Sequence, residues 1–127
     1  MERSPLDGCS IFVVEDEPLI AMDIEEAFRQ CGADVVVACT VKDALELVAD
    51  RFALGVLDHG LADGHSTELY QHLRTLGVPF IIYTGHDVPP GDRNGGVVVS
   101  KPAVAEELRA VAEGLVRAAK REASLCT

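Results

Sequence analysis

Five short runs of aliphatic, largely β-branched residues recur along this chain, and stretches of helical periodicity fall between them. "CSIFVVED" (Cys9 to Asp16) is the first run, dense enough in apolar residues to be a strand buried on both faces. Pro18 then opens a helix, where its missing N–H is no loss. Ile20, Ile24, Ala27, Phe28 and Cys31 share one face of it, and Gly32 ends it. "ADVVVAC" (Ala33 to Cys39) is the second strand. Thr40 caps a second helix, with Asp43 three residues on, and Ala44, Leu45, Val48 and Ala49 form its apolar side. "FALGVLD" (Phe52 to Asp58) is the third strand. Ser66 or Thr67 starts a third helix through Leu69, Leu73 and Leu76, closing at Gly77.

"VPFIIYT" (Val78 to Thr84) and "GVVVS" (Gly96 to Ser100) are the fourth and fifth strands. After Pro102, Val104, Leu108, Val111 and Leu115 recur at helical spacing as the core side of a last helix, one edge of which is available to a homodimer. "REASLCT" reads as a frayed end. Such alternation defines an α/β domain, a parallel sheet covered on both faces with right-handed crossovers. One link breaks the pattern. In "GHDVPPGDRNGG" (Gly85 to Gly96), the prolines and glycines oppose the helix expected there.

Composition narrows the function. The 127 residues suit one domain with a real core. The net charge of -10 argues against a nucleic-acid footprint and against an anionic membrane surface. No apolar stretch reaches spanning length and "MERSPLDGCS" has no signal core, so the chain reads as cytoplasmic. Cys9, Cys31, Cys39 and Cys126 fit no zinc spacing and read as idle thiols.

Open parallel sheets bind ligands beyond the carboxyl ends of their strands. Those ends here carry Glu15 and Asp16, Asp58, Thr84, and Ser100 with Lys101. Three carboxylates close together repel unless a cation joins them, and Mg²⁺ is the hard, oxygen-loving candidate. A carboxylate beside Mg²⁺, an ammonium and a hydroxyl is suited to accept a phosphoryl group.

The pair Glu15-Asp16, "LDHGLADG" around Asp58, "IIYTG" with Thr84 and "VSKP" with Lys101 together resemble the receiver domain of two-component response regulators, over roughly Cys9 to Arg117 of a single domain spanning 1–127. The resemblance implies a flavodoxin-like doubly wound sheet of order 2-1-3-4-5, with helix 4 short or absent here. It implies that Asp58 is the phosphoacceptor, fed by a histidine kinase or histidine phosphotransfer protein. Asp16, Glu15 through water, Asp58 and the Gly60 carbonyl would hold Mg²⁺. Lys101 would contact the phosphoryl oxygens, before a cis peptide to Pro102. Thr84 would be the switch hydroxyl, with small Gly85 leaving room. The chain would then act as a self-phosphorylating acceptor with slow autodephosphorylation rather than as an enzyme, signalling to an unknown output protein.

Two positions and one segment depart from the family pattern. Val98 stands where a rotating Tyr or Phe is usual, and Tyr83 faces the other side of its strand from Thr84. Ala62 stands where proline is common. The segment from Thr84 to Lys101 is shortened, so the loop Gly85 to Gly96 is expected to respond to phosphorylation in place of a Thr/Tyr couple. Two other readings are weighed. One is a receiver-like interaction module independent of phosphate. The other is an aspartyl-nucleophile phosphohydrolase, which would need an acid at Gly60. His59 and His86 follow strand ends; they read as solvated loop residues, or as neighbours that tune aspartyl-phosphate hydrolysis.

Overall fold

The structure, a computed structural model, describes residues 3–125. The first strand, β1 (Ser10–Val14), is followed by α1 (Pro18–Arg29), β2 (Asp34–Ala38), α2 (Val41–Leu47) and β3 (Leu54–Leu57). A two-residue hairpin, β4 (Gly60–Leu61) with β5 (Gly64–His65), precedes α3 (Thr67–Leu76) and β6 (Phe80–Thr84). A single 3₁₀ turn, Pro90–Asp92, then leads to β7 (Val97–Ser100) and α4 (Ala105–Leu125). The main sheet is parallel in the order β2-β1-β3-β6-β7. Without the hairpin this is the expected 2-1-3-4-5 order, and the expected helix 4 is reduced to the turn.

Side-chain alternation along the strands builds two cores. Ile11, Val13, Leu54, Val56, Ile81, Tyr83 and Val99 point to the α1 and α4 face. Phe12, Val14, Leu57, Phe80 and Ile82 point to the α2 and α3 face, where Phe12 stacks on Phe52 and Tyr70 on Phe80. Period-two patterning with both faces apolar leaves a central strand no solvent side.

Local signals act mostly as read. Thr40 Oγ1 accepts the Asp43 N–H at 3.0 Å. Gly77 takes the left-handed conformation, φ 75°, that closes α3. Some details are corrected. Val104 is 65 % exposed, and the buried stripe of α4 is Leu108, Ala112 and Val116, with Val111 and Leu115 packed at its edge. The helix only begins at Ala105, so the stripe starts one turn later than its apolar spacing suggests. The expected fray is helical through Leu125, while Cys126 lies outside the described residues. Cys31 sits in the turn beyond α1 and still packs against the core. Among the described residues Cys9, Cys31 and Cys39 are free thiols, and no helix is long and apolar enough to cross a membrane.

Gly96 shows what the shortened link requires. A Cβ there would lie 2.3 Å from Phe80 Cε2 and 3.0 Å from Ile82 Cδ1. Gly96→Ala is expected to force the Phe80 ring out of its rotamer and cost about 1–3 kcal/mol. A denaturant midpoint equal to wild type would refute this close packing.

Candidate functional site

The acids reach one edge of the sheet because β1 and β3 are neighbours in register. Val14 pairs with Leu57, and the Asp58 N–H donates to the Val14 carbonyl at 2.9 Å. Glu15 and Asp58 therefore leave adjacent strand ends side by side. Glu15 is 2 % exposed and Asp58 8 %. Lys101 follows β7 and reaches both: its Nζ lies 2.7 Å from Glu15 Oε1 and 3.0 Å from Asp58 Oδ2. Its backbone N–H donates to the Thr84 carbonyl at 3.0 Å, so Thr84 and Lys101 are stitched together at the tips of β6 and β7. The Lys101–Pro102 peptide is cis.

One oxygen each of Glu15, Asp16 and Asp58 lies within 4.8 Å of the others. Opposite ligands of an octahedral Mg²⁺ at about 2.1 Å are roughly 4.2 Å apart, so small side-chain movements would bring the set to bonding distance. Hard carboxylate oxygens fit the ion. Asp16 Oδ2 meanwhile accepts the Ala62 N–H at 3.1 Å. Gly60, proposed to offer its carbonyl, lies on the hairpin immediately after Asp58, and a Cβ added to it would meet His86 Cδ2 at 3.8 Å.

The electrostatics carry the strain of crowding. Burial pushes Glu15 up to about 7; the Lys101 hydrogen bond opposes this, and the nearby Asp58 carboxylate adds to it. Burial works against the Lys101 ammonium, yet its hydrogen bonds to Glu15 and Asp58 and their charges prevail and hold it above the usual lysine value. For Glu15 the folded value exceeds the unfolded 4.5, so the folded protein keeps its proton longer. That contribution is complete below pH 4.5 and is lost as pH rises through about 7. Without divalent metal, wild-type melting temperature is expected to fall across this window relative to Glu15→Gln. Parallel pH curves for the two proteins would contradict it.

Thr84 is 1 % exposed, and its Oγ1 accepts the His86 N–H at 3.1 Å. The hydroxyl is thus tied to the first residues of the loop Gly85 to Gly96. Val98 is half-buried against the α2 and α3 core, so no aromatic stands at that position. His59 Nδ1 is 3.0 Å from the Tyr70 hydroxyl, and its ring is 5.1 Å from that of His65. Burial, then the neighbouring His65, lowers its pKa.

Four supports escaped the sequence reading. Ser66, read only as a helix start, makes no capping bond; its fully buried hydroxyl donates to the Asp58 carbonyl at 2.6 Å. Asp63 accepts the N–H groups of Val41 and Lys42 at 2.9 and 3.2 Å, fastening the hairpin to the start of α2. The Ala62 amide holds Asp16, and the Tyr83 hydroxyl holds Ala103. Each joins residues distant in sequence or uses a backbone group, so local pattern carried no signal.

Residues 11–113 match the family model of the response regulator receiver domain. Over 81 residues the chain is 37 % identical to the phyllosphere-induced regulator PhyR of Methylorubrum extorquens, a match covering 60 % of this chain and 30 % of that protein. Its fold superposes on the PhyR receiver domain of Erythrobacter litoralis with TM-score 0.75 and 28 % identity, covering 87 % and 91 % of the two chains. A signal receiver domain from Vibrio parahaemolyticus gives TM-score 0.83 at 20 % identity, covering 92 % and 96 %. The chain belongs to the response regulator receiver domain family.

Proposed function

We propose that the chain is a phosphoacceptor in a two-component phosphorelay, with Asp58 taking the phosphoryl group. The observation that carries this reading is the contact of a single ammonium, Lys101, with both Glu15 and Asp58 at 2.7 and 3.0 Å, beside Asp16. One Asp58 carboxylate oxygen attacks phosphorus while the donor's P–N bond breaks, if the donor is a phosphohistidine of a kinase or phosphotransfer protein. The donor imidazole leaves with the bonding pair and takes a proton from solvent. Mg²⁺, held by Asp16, Asp58, the Gly60 carbonyl and Glu15 through water, would neutralise charge developing on the phosphoryl oxygens. Lys101 then exchanges carboxylate for phosphoryl oxygen, and the Thr84 hydroxyl, released from the His86 N–H, donates to another. Hydrolysis returns Asp58 and inorganic phosphate when water attacks phosphorus and the aspartyl P–O bond breaks.

Incubation with acetyl phosphate and Mg²⁺ tests the reading. The expected result is a mass gain of one phosphoryl group, lost on removing Mg²⁺. A wild type silent to both acetyl phosphate and beryllofluoride would leave the phosphate-independent interaction module, favoured by Val98 and the turn at Pro90–Asp92. Rapid turnover of small phosphate esters would favour a hydrolase instead.

Output follows from the same contacts. An aspartyl phosphate adds about 1.5 to 2 negative charges beside a hydroxyl already bonded to the loop. Amide resonances from Gly85 to Gly96 are expected to shift with beryllofluoride and Mg²⁺. Unchanged resonances there would show that the loop does not carry the signal. Transmission would end in docking to another protein or onward phosphotransfer.

A further inference from the structure

We propose that Tyr83 is a positioning residue for Lys101, holding the phosphoryl-contacting ammonium and linking it to the start of α4; this rests on the phosphoacceptor reading. Tyr83 lies beside Thr84 on β6 but points into the α1 and α4 core. Its hydroxyl accepts the Ala103 N–H at 3.0 Å and donates to the Ala103 carbonyl at 3.4 Å. Lys101 Nζ stands 5.4 Å from the centroid of its ring, within the range of a cation–π contact.

These bonds enclose the turn from both ends. Lys101 is fixed at its backbone by the Thr84 carbonyl, and Ala103 is fixed by the Tyr83 hydroxyl. Two adjacent residues of one strand thus hold the two ends of a three-residue turn. The other partners of the ammonium are Glu15 and Asp58, the groups whose charge changes when a cation or phosphoryl group arrives. The Tyr83 ring is the neighbour that carries no ionic charge for such a change to alter. It supplies a fixed support against which Lys101 can exchange its oxygen partners.

The link has an outward end. Tyr83, Lys101 and Ala103 line an open groove of about 630 Å³ between α1 and α4, together with Ile20, Ile24 and Leu108. A change in how Lys101 sits on the ring reaches that groove through Ala103, two residues before α4 begins.

Tyr83→Phe removes the hydroxyl and keeps the ring; Tyr83→Leu removes both. With acetyl phosphate across a Mg²⁺ series, Tyr83→Phe is expected to take up phosphoryl groups about three- to tenfold more slowly, the size of one lost hydrogen bond. Its Mg²⁺ affinity should not weaken, because the acids keep their places. Tyr83→Leu should be slower still. A rate and a Mg²⁺ affinity that fall together would mark a merely structural residue and overturn the inference. A second measurement needs no variant at this position. The chain has no Trp and two Tyr, so in a Tyr70→Phe background Tyr83 is the sole tyrosine, excited selectively above the phenylalanine absorption band. Its fluorescence is expected to change with Mg²⁺ and beryllofluoride, and unchanged emission overturns the inference. A wild type that takes up phosphate while Tyr83→Phe matches it overturns this inference alone. A wild type that takes up none removes the phosphoacceptor reading and this inference with it.

Discussion

Asp58→Asn is expected to abolish phosphoryl uptake, leaving less than about one-hundredth of the wild-type rate with acetyl phosphate. The amide is almost the same size as the carboxylate, so the Lys101 contact and the β3 tip need not move. What disappears is the anionic oxygen proposed to form the P–O bond. The Asp58 carbonyl that receives the Ser66 hydroxyl belongs to the main chain and survives the change. A variant that still gains one phosphoryl mass, mapped to another residue, would show that Asp58 is a neighbour of the acceptor and not the acceptor itself.

Lys101→Ala is expected to produce the second large effect, in stability as well as chemistry. Removing the ammonium leaves a carboxylate that is 2 % exposed facing another that is 8 % exposed. Breaking a fully buried pair costs about 3–5 kcal/mol; here the lysine side chain is 18 % exposed, so about 1–3 kcal/mol is expected without Mg²⁺. Added Mg²⁺ should recover much of the loss, because a cation again joins the acids. Thermal melts with and without Mg²⁺ measure both numbers. If the variant melts like wild type in metal-free buffer, the pairing is not what makes the acid cluster tolerable. Phosphoryl uptake should fall at least about tenfold even at saturating Mg²⁺, since the positive charge beside the proposed acceptor is gone.

The two variants separate roles that one cleft would otherwise blur. Asp58→Asn should remove the chemistry and preserve the fold. Lys101→Ala should weaken both and respond to metal. Glu15→Gln, by contrast, should change the pH dependence of stability while leaving Asp58 in place. Its raised pKa comes chiefly from burial, and the amide carries no charge to bury.

The order of strands and helices was legible because both periods are written plainly. "CSIFVVED" and "VPFIIYT" are too apolar to have a wet face, and Ile20, Ile24 and Phe28 repeat at helical spacing. The meeting of Glu15, Asp58 and Lys101 was also legible, since a parallel sheet sends every strand end to one edge. The helix that never forms was announced by Pro89, Pro90 and the glycine pair Gly95-Gly96. The placement of Val104 was not, because apolar character fixes a face only once the helix start is known. Nor was the small hairpin after Asp58, whose two-residue strands carry too little pattern to register.

The chain's own residues thus determined which groups stand at the strand tips, through local periodicity and the one-edge geometry of parallel strands. Tertiary structure alone decided how those groups are held. Ser66 turns from its helix to the Asp58 carbonyl, Asp63 crosses to α2, Ala62 engages Asp16, and Tyr83 reaches past Thr84 to Ala103. Such bonds depend on distances between segments far apart in the chain. Those distances exist only after both cores have packed against the sheet and fixed the separation of its helices.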